Sequence, residues 1–150
     1  MASNQQPLGE LGRLTGYHLR RASSVFAADF ARAMEGTGLR QVLLGILAVV
    51  SANPGINQGS VGRLLGIKRA NMVSLINELI DAGLVDREVD ATDRRAFTLK
   101  LSRRGSSLLK EALARIEEHE KQLLSAFTEE ESRTLLDLLG RIERQEPAVD

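Results

Sequence analysis

Two groups of side chains carry most of the recognition chemistry in this chain. One is "IKRANMVSLINELI" (67–80), in which Lys68, Arg69, Asn71, Ser74 and Asn77 alternate with apolar residues. Arg and Lys suit guanine edges and phosphates, Asn suits adenine, and Ser suits either. The other is "DREVDATDRRAFTLKLS" (86–102), which carries Arg87 on a strand and Asp93, Arg94 and Arg95 on a polar tip. Arginines on such a tip fit a narrow minor groove, whose negative potential attracts them. The plain alternatives are a solvated helix face and a solvated turn, with Asp93 in a local ion pair with an arginine. Such a surface pair is worth little.

Catalytic chemistry has no comparable foothold. Nucleophilic catalysis needs a Ser or Cys with a base and an orienting group, yet the chain has two histidines, His18 and His119, and no cysteine. Neither histidine lies in a recognisable motif. His119 sits in "IEEHEKQ" without a histidine mate one helical turn away, so it reads as part of a solvated, charged face rather than as a metal ligand. "GSVGRLLG" (59–66) lacks the Lys-Ser/Thr ending of a phosphate loop and has no strand before it. The expectation is a protein that is not an enzyme and uses no cofactor or metal. Without cysteine there is no disulfide and no thiol-based redox sensing.

Helices and one hairpin are needed to position these groups. Apolar residues recur at Leu11, Leu14, Leu19, Ala22, Phe26, Phe30 and Ala33, one stripe of a long helix from Leu8 to about Met34, with Gly36 and Gly38 as stop signals. "VLLGILAVV" (42–50) is apolar nearly all round, the composition of a buried central helix from Leu39 to about Ser51. Asn57 is a good N-cap for a short helix, with Ile56 and Val61 placed as a hydrophobic staple. That helix is expected to turn Val61, Leu64 and Leu65 inward and to stop at Gly66. The next begins near Lys68, aligns Met72, Leu75, Ile76, Leu79 and Ile80, and stops at Gly83.

Two short helices joined by a tight glycine turn are the helix-turn-helix pattern. The second helix buries its apolar face and offers Lys68, Arg69, Asn71, Ser74 and Asn77. Val85 and Val89, then Phe97, Leu99 and Leu101, supply two strands on either side of the arginine tip. The fold class expected is therefore mainly α, with a winged helix-turn-helix core and a two-stranded β-wing. From Ser102 a long helix carries Leu108, Leu109, Leu113, Ile116, Leu123 and Leu124. Thr128 and Glu131 form a capping box, and the last helix carries Leu135, Leu138, Leu139 and Ile142. Helices this apolar at the chain ends have little left to bury against once a small core is packed, so a second subunit is the economical partner.

Charge points the same way only when it is divided. Lys+Arg and Asp+Glu are both 20, but residues 57–104 hold nine basic against six acidic side chains, and residues 105–150 hold six against eleven. A basic middle and an acidic end suggest an anionic partner for the middle alone. No apolar run reaches the length of a membrane span and the N-terminus lacks a signal-peptide layout, so no membrane partner and a cytoplasmic location are expected.

Residues 39–105 resemble the winged-helix core of the MarR family of bacterial transcriptional regulators. The resemblance rests on "NPG" (53–55), "LLGIKRANMVSLINELIDAGLV" (64–85), "DRR" (93–95) and "LKLSRRG" (99–105). The last two match the family's Asp-x-Arg wing motif and its Leu-Thr-x-x-Gly entry to the next helix, with Ser102 in the threonine position. The helix from Leu39 lacks the family's frequent Thr-x-x-Gln pattern. The flanking helices match in length and order, so the likeness covers nearly the whole chain. It implies a single domain over 1–150, with dimerisation helices at about 8–38 and 102–146 around a DNA-binding core at about 39–101. It also implies a homodimer that binds a pseudo-palindromic double-stranded operator.

The resemblance further implies a repressor released by a small aromatic or anionic effector held between the dimer helices and the core. "GYHLRRASSVFAADF" (16–30) offers Tyr17 and Phe26 for stacking, and His18, Arg20, Arg21, Ser23 and Ser24 for a carboxylate, phenol or phosphate. The stretch is similar to members that respond to aromatic-catabolism intermediates, including hydroxycinnamoyl-CoA thioesters. The alternatives are a winged helix used for protein interaction, which needs no arginines on its tip, and a MarR-like activator without a ligand.

Overall fold

Side-chain caps set the starts of three helices in the computed structural model, which describes residues 7–145. In chain order the elements are a 3-10 helix (Gly9–Arg13), α1 (Thr15–Ala33), α2 (Gln41–Ala52), β1 (Ile56–Asn57), α3 (Gln58–Leu65), α4 (Arg69–Asp81), β2 (Val85–Val89), β3 (Phe97–Leu101), α5 (Arg103–Leu123) and α6 (Glu129–Glu143). The outermost residues of the expected 1–150 domain, and the last position of the 102–146 range, lie outside the described residues.

The helix-turn-helix forms as its capping chemistry dictates. Asn57 caps α3 by accepting a hydrogen bond from the Ser60 N–H at 2.9 Å. Gly66 then takes the left-handed conformation (φ 65°), which ends α3 and redirects the chain into α4. Beneath α4 lie Met72, Ile76 and Leu79, packed with Val61 of α3, Ile46 and Leu47 of α2, Leu99 of β3 and Ala112 of α5. α2 supplies five buried residues to this core, in keeping with its all-round apolar sequence.

The wing leads directly into α5. Ser102 caps α5 by accepting from the Gly105 N–H at 2.9 Å, and its hydroxyl donates to the Gly83 carbonyl at 2.6 Å. Arg104 adds a bond to the Ala82 carbonyl at 3.1 Å. The junction is so close that a Cβ on Gly105 would stand 2.0 Å from the Leu84 carbonyl oxygen. The end of α4 and the start of α5 are thereby tied to the root of the hairpin. At the far end, Thr128 and Glu131 form the expected capping box on α6.

Four expectations need correction. The first helix is not continuous: Gly9 (φ 59°) and an extended Leu14 (φ −92°, ψ 111°) confine the first segment to a 3-10 turn before α1. Leu64 is 64% exposed rather than inward, because α3 is short and its buried side is filled by Val61 and Gly62. The sheet has three strands in the order β1-β3-β2, since Ile56 and Asn57 pair antiparallel with Leu99 and Thr98. That short strand also precedes the glycine-containing stretch 59–66, where the sequence predicts none.

The outer helices are packed thinly. α1 buries only Asp29 and Ala33, and α6 buries no residue at all. Leu136 is 71% exposed, with Leu138 and Ile142 also exposed. Among the described residues no helix is long and apolar enough to cross a membrane.

Candidate functional site

α4 presents its polar face to solvent along its length. Lys68, Arg69, Asn71, Ser74 and Asn77 are all exposed, opposite the buried Met72, Ile76 and Leu79. Their availability differs. The Ser74 hydroxyl donates to the Asn71 carbonyl at 3.0 Å, and the Asn77 Oδ1 accepts from the Arg87 guanidinium at 3.2 Å. A bidentate contact with adenine needs both ends of an asparagine amide, so Asn71 is the better placed of the two. Val73, which attention to charge alone overlooks, is 49% exposed on the same face, one turn from both Arg69 and Asn77. An apolar side chain there is suited to a thymine methyl. The signal for it in the sequence is an apolar residue off the buried stripe.

The wing is built from the β2–β3 pairing, with Val85 opposite Leu101, Arg87 opposite Leu99 and Val89 opposite Phe97. At its root Val85 and Leu99 are buried, whereas the distal Val89 and Phe97 are exposed. Arg87 lies between recognition helix and wing: its guanidinium bonds Asn77 and stands 5.4 Å from the Phe97 ring centroid. Arg87, expected as a DNA contact, is exposed and also links the two elements. Glu88 and Lys100 form a cross-strand ion pair nearby.

Asp90 organises the tip more than the sequence suggests. Its carboxylate accepts from the Thr92 hydroxyl at 2.7 Å, the Thr92 N–H at 2.7 Å and the Asp93 N–H at 3.2 Å. These bonds, the Thr92 hydroxyl first, hold its pKa below the ordinary carboxylate value. Asp93 does not pair with an arginine side chain. It accepts from the Arg95 backbone N–H at 3.0 Å, a local turn contact that leaves Arg94 and Arg95 exposed at the tip. A carboxylate two residues back reaches that N–H more readily than a flexible guanidinium.

A second site lies between α1, α2 and α5. A cavity of ≈ 180 Å³ is lined by Ser23, Phe26, Ala27, Asp29, Phe30, Ala33, Gln41, Ile116, His119 and Glu120. Of the seven residues singled out for an effector, Ser23 and Phe26 line it. Tyr17, Arg21 and Ser24 run along a neighbouring stripe of α1. There Arg21 stacks over the Tyr17 ring at 5.8 Å and Ser24 donates to the Arg20 carbonyl at 3.0 Å. His18 turns back to the Gly12 carbonyl at 3.0 Å. Arg20 sits one turn before Ser23, beside the lining stripe.

His119 is not on a solvated face. Its Nδ1 lies 3.1 Å from the Asp29 Oδ1, and Arg32 reaches the same oxygen at 3.2 Å. Asp29 is only 7% exposed, so an unpaired carboxylate there would be costly. The His119 hydrogen bond lowers its pKa; burial opposes that, and Arg32 assists it. Because an ionised carboxylate only accepts, Nδ1 carries the proton. Among the described residues no group of three or more His, Asp or Glu side chains could hold a metal ion.

Comparison with known proteins places this geometry. A sequence model of the MarR family matches residues 38–96, the helix-turn-helix and most of the wing. A putative transcriptional regulatory protein for the hcr operon of Thauera aromatica is 32% identical over 143 residues, spanning 92% of this chain and 84% of that protein. The transcriptional repressor CouR bound to a 23-mer DNA duplex superposes with a TM-score of 0.87 at 31% identity, covering 93% of this chain and 99% of CouR. CouR bound to p-coumaroyl-CoA gives 0.82 at 30% identity, over 95% of this chain and 100% of that one. These relatives regulate transcription and are not enzymes. With its winged helix-turn-helix, exposed recognition face and arginine-tipped wing, the chain belongs to the MarR family of DNA-binding transcriptional regulators.

Proposed function

We propose that the protein is a ligand-responsive repressor in the cytoplasm, binding a pseudo-palindromic operator as a homodimer and released by an aromatic acyl-CoA or related aromatic anion. The observation that carries the reading is the pairing of two exposed surfaces on one braced unit. α4 and its N-cap offer Lys68, Arg69, Asn71, Ser74 and Val73 for base edges and phosphates, and the wing offers Arg94 and Arg95, exposed at its tip. Base contacts specify the sequence while phosphate and groove contacts position the protein. The likeness to CouR, a repressor bound to DNA in one structure and to p-coumaroyl-CoA in another, supports both halves of the proposal.

Dimerisation is supported by the unburied apolar side chains of α6 and the thin packing of α1. Each Leu or Ile side chain fully removed from water contributes about 1.5–3 kcal/mol, so Leu136, Leu138 and Ile142 favour an apolar partner. Two copies related by a two-fold axis present two recognition helices to a symmetric operator. An effector lodged between α1, α2 and α5 touches both the end helices and the core, so it can favour an arrangement of the two heads that no longer fits the operator. It releases DNA only to the extent that it prefers that arrangement.

The experiment is selection of binding sites from a random duplex pool, followed by titration of the best duplex with p-hydroxycinnamoyl-CoA. The proposal predicts a palindromic selected sequence, binding of two chains per duplex, and release by the thioester at micromolar levels. Failure to enrich any sequence, or binding of a single chain, would overturn it.

A further inference from the structure

We infer that Arg87 and Asn77 form a phosphate-operated latch: a DNA phosphate takes the Arg87 guanidinium, and the freed Asn77 amide then reads a base. This rests on the reading of α4 and the wing as a DNA surface, and adds two residues that act on it in sequence. The geometry without DNA comes first. Val85, Arg87 and Val89 share one face of β2, and Val85 is buried in the core. Arg87 therefore leaves the sheet on the side of α4. There its guanidinium donates to the Asn77 Oδ1 at 3.2 Å and stands 5.4 Å from the Phe97 ring centroid. Asn77 lies one turn beyond Val73 and two beyond Arg69, on the exposed face of α4.

The bond to Asn77 is one that DNA can displace. It is exposed, its length is at the long end of the hydrogen-bond range, and its acceptor is neutral. Among the described residues no carboxylate pairs with Arg87, unlike Arg32, Arg40 and Arg115. A phosphate offers the guanidinium fork a full negative charge and two oxygens, which makes a shorter and stronger contact. The Phe97 ring attracts the cation whichever acceptor its N–H groups face, and so keeps the side chain between helix and wing. Asn77 gains in the same step. With Oδ1 engaged it cannot make the two-bond contact with adenine, which uses both ends of the amide; released, it can. Base reading at this position thus follows backbone contact.

The test titrates Asn77→Ala, Arg87→Ala and the double variant on the selected duplex and on a scrambled one across a salt series. Both side chains are exposed, so neither truncation empties the core. Arg87→Ala should weaken both duplexes alike and flatten the log–log salt slope by about 0.9, the loss of one phosphate contact. Arg87→Lys keeps a charge for the phosphate and should keep the slope. Asn77→Ala should lower the preference for the selected duplex about fivefold or more, with the slope unchanged. It should also tighten binding to the scrambled duplex about two- to threefold, because Arg87 no longer has an exposed bond to break. That gain should vanish when Arg87→Ala is already present. A permanent strut gives the opposite sign: Asn77→Ala would weaken both duplexes, since Arg87 would lose its support. Such weakening, or an unchanged slope for Arg87→Ala, would overturn the latch, while losses in Asn71→Ala and Arg95→Ala would leave the DNA reading standing. If no duplex is enriched at all, the DNA reading and the latch fall together.

Discussion

Asp29 is the residue on which α1 and α5 meet, and its chemistry gives a pH signature. Its folded pKa is lowered by the His119 hydrogen bond, with Arg32 assisting against burial. The stability it contributes is therefore present above the unfolded carboxylate value and is lost as pH falls through the lower folded one. The wild-type advantage over Asp29→Asn should be full at about pH 7 and fade towards about pH 3. Urea unfolding of both proteins at the two pH values checks this; an advantage that persists undiminished in acid would contradict it. Arg87 makes a second residue-scale claim. Because it bonds Asn77 at 3.2 Å, Arg87→Ala and Asn77→Ala should be coupled by about 0.5–1.5 kcal/mol in a double-mutant cycle on stability. Additive effects would show that the brace does not act.

At the scale of elements, the junction of wing and α5 leaves less room than any other described glycine position. Gly105→Ala would place a Cβ 2.0 Å from the Leu84 carbonyl oxygen, a backbone atom that no side-chain rotation can move aside, so one element must shift. The expected loss is about 1–3 kcal/mol or more, read as a lower Tm by calorimetry, with unchanged Tm the contrary result. Elements with local signals are legible in the sequence: the Asn57 cap, the Gly66 turn, the apolar α2, the alternating hairpin strands and the Thr128–Glu131 box. What escapes it depends on distant partners. β1 is two residues long and exists only through its pairing with β3. Asp29 and His119 are 90 positions apart, so no spacing announces them. Periodicity turns Leu64 inward, yet the eight residues of α3 do not extend the core to it. For the recognition face, residue types and helical spacing suffice to name exposed side chains, but not to show that Asn77 is engaged by Arg87.

For the whole molecule, the apolar faces of α1 and α6 make oligomeric state the decisive property. Removing residues 128–150 deletes α6 and should yield monomer or aggregate by light scattering, with operator affinity reduced because two half-sites no longer act together. A truncated chain that remains a well-behaved dimer would place the interface elsewhere. The central claim, that α4 reads bases while the wing reads groove and charge, is tested most directly by one set of titrations. Asn71→Ala and Arg95→Ala are compared with wild type on the selected duplex and on a scrambled one across a salt series. Asn71→Ala should cost about 1–3 kcal/mol on the selected duplex and little on the scrambled one. Arg95→Ala should weaken both and flatten the log–log salt slope by about 0.9 for each phosphate it no longer neutralises, with Arg94→Ala milder. If Asn71→Ala leaves discrimination intact and Arg95→Ala leaves affinity and slope unchanged, neither element is in its groove and the account is wrong.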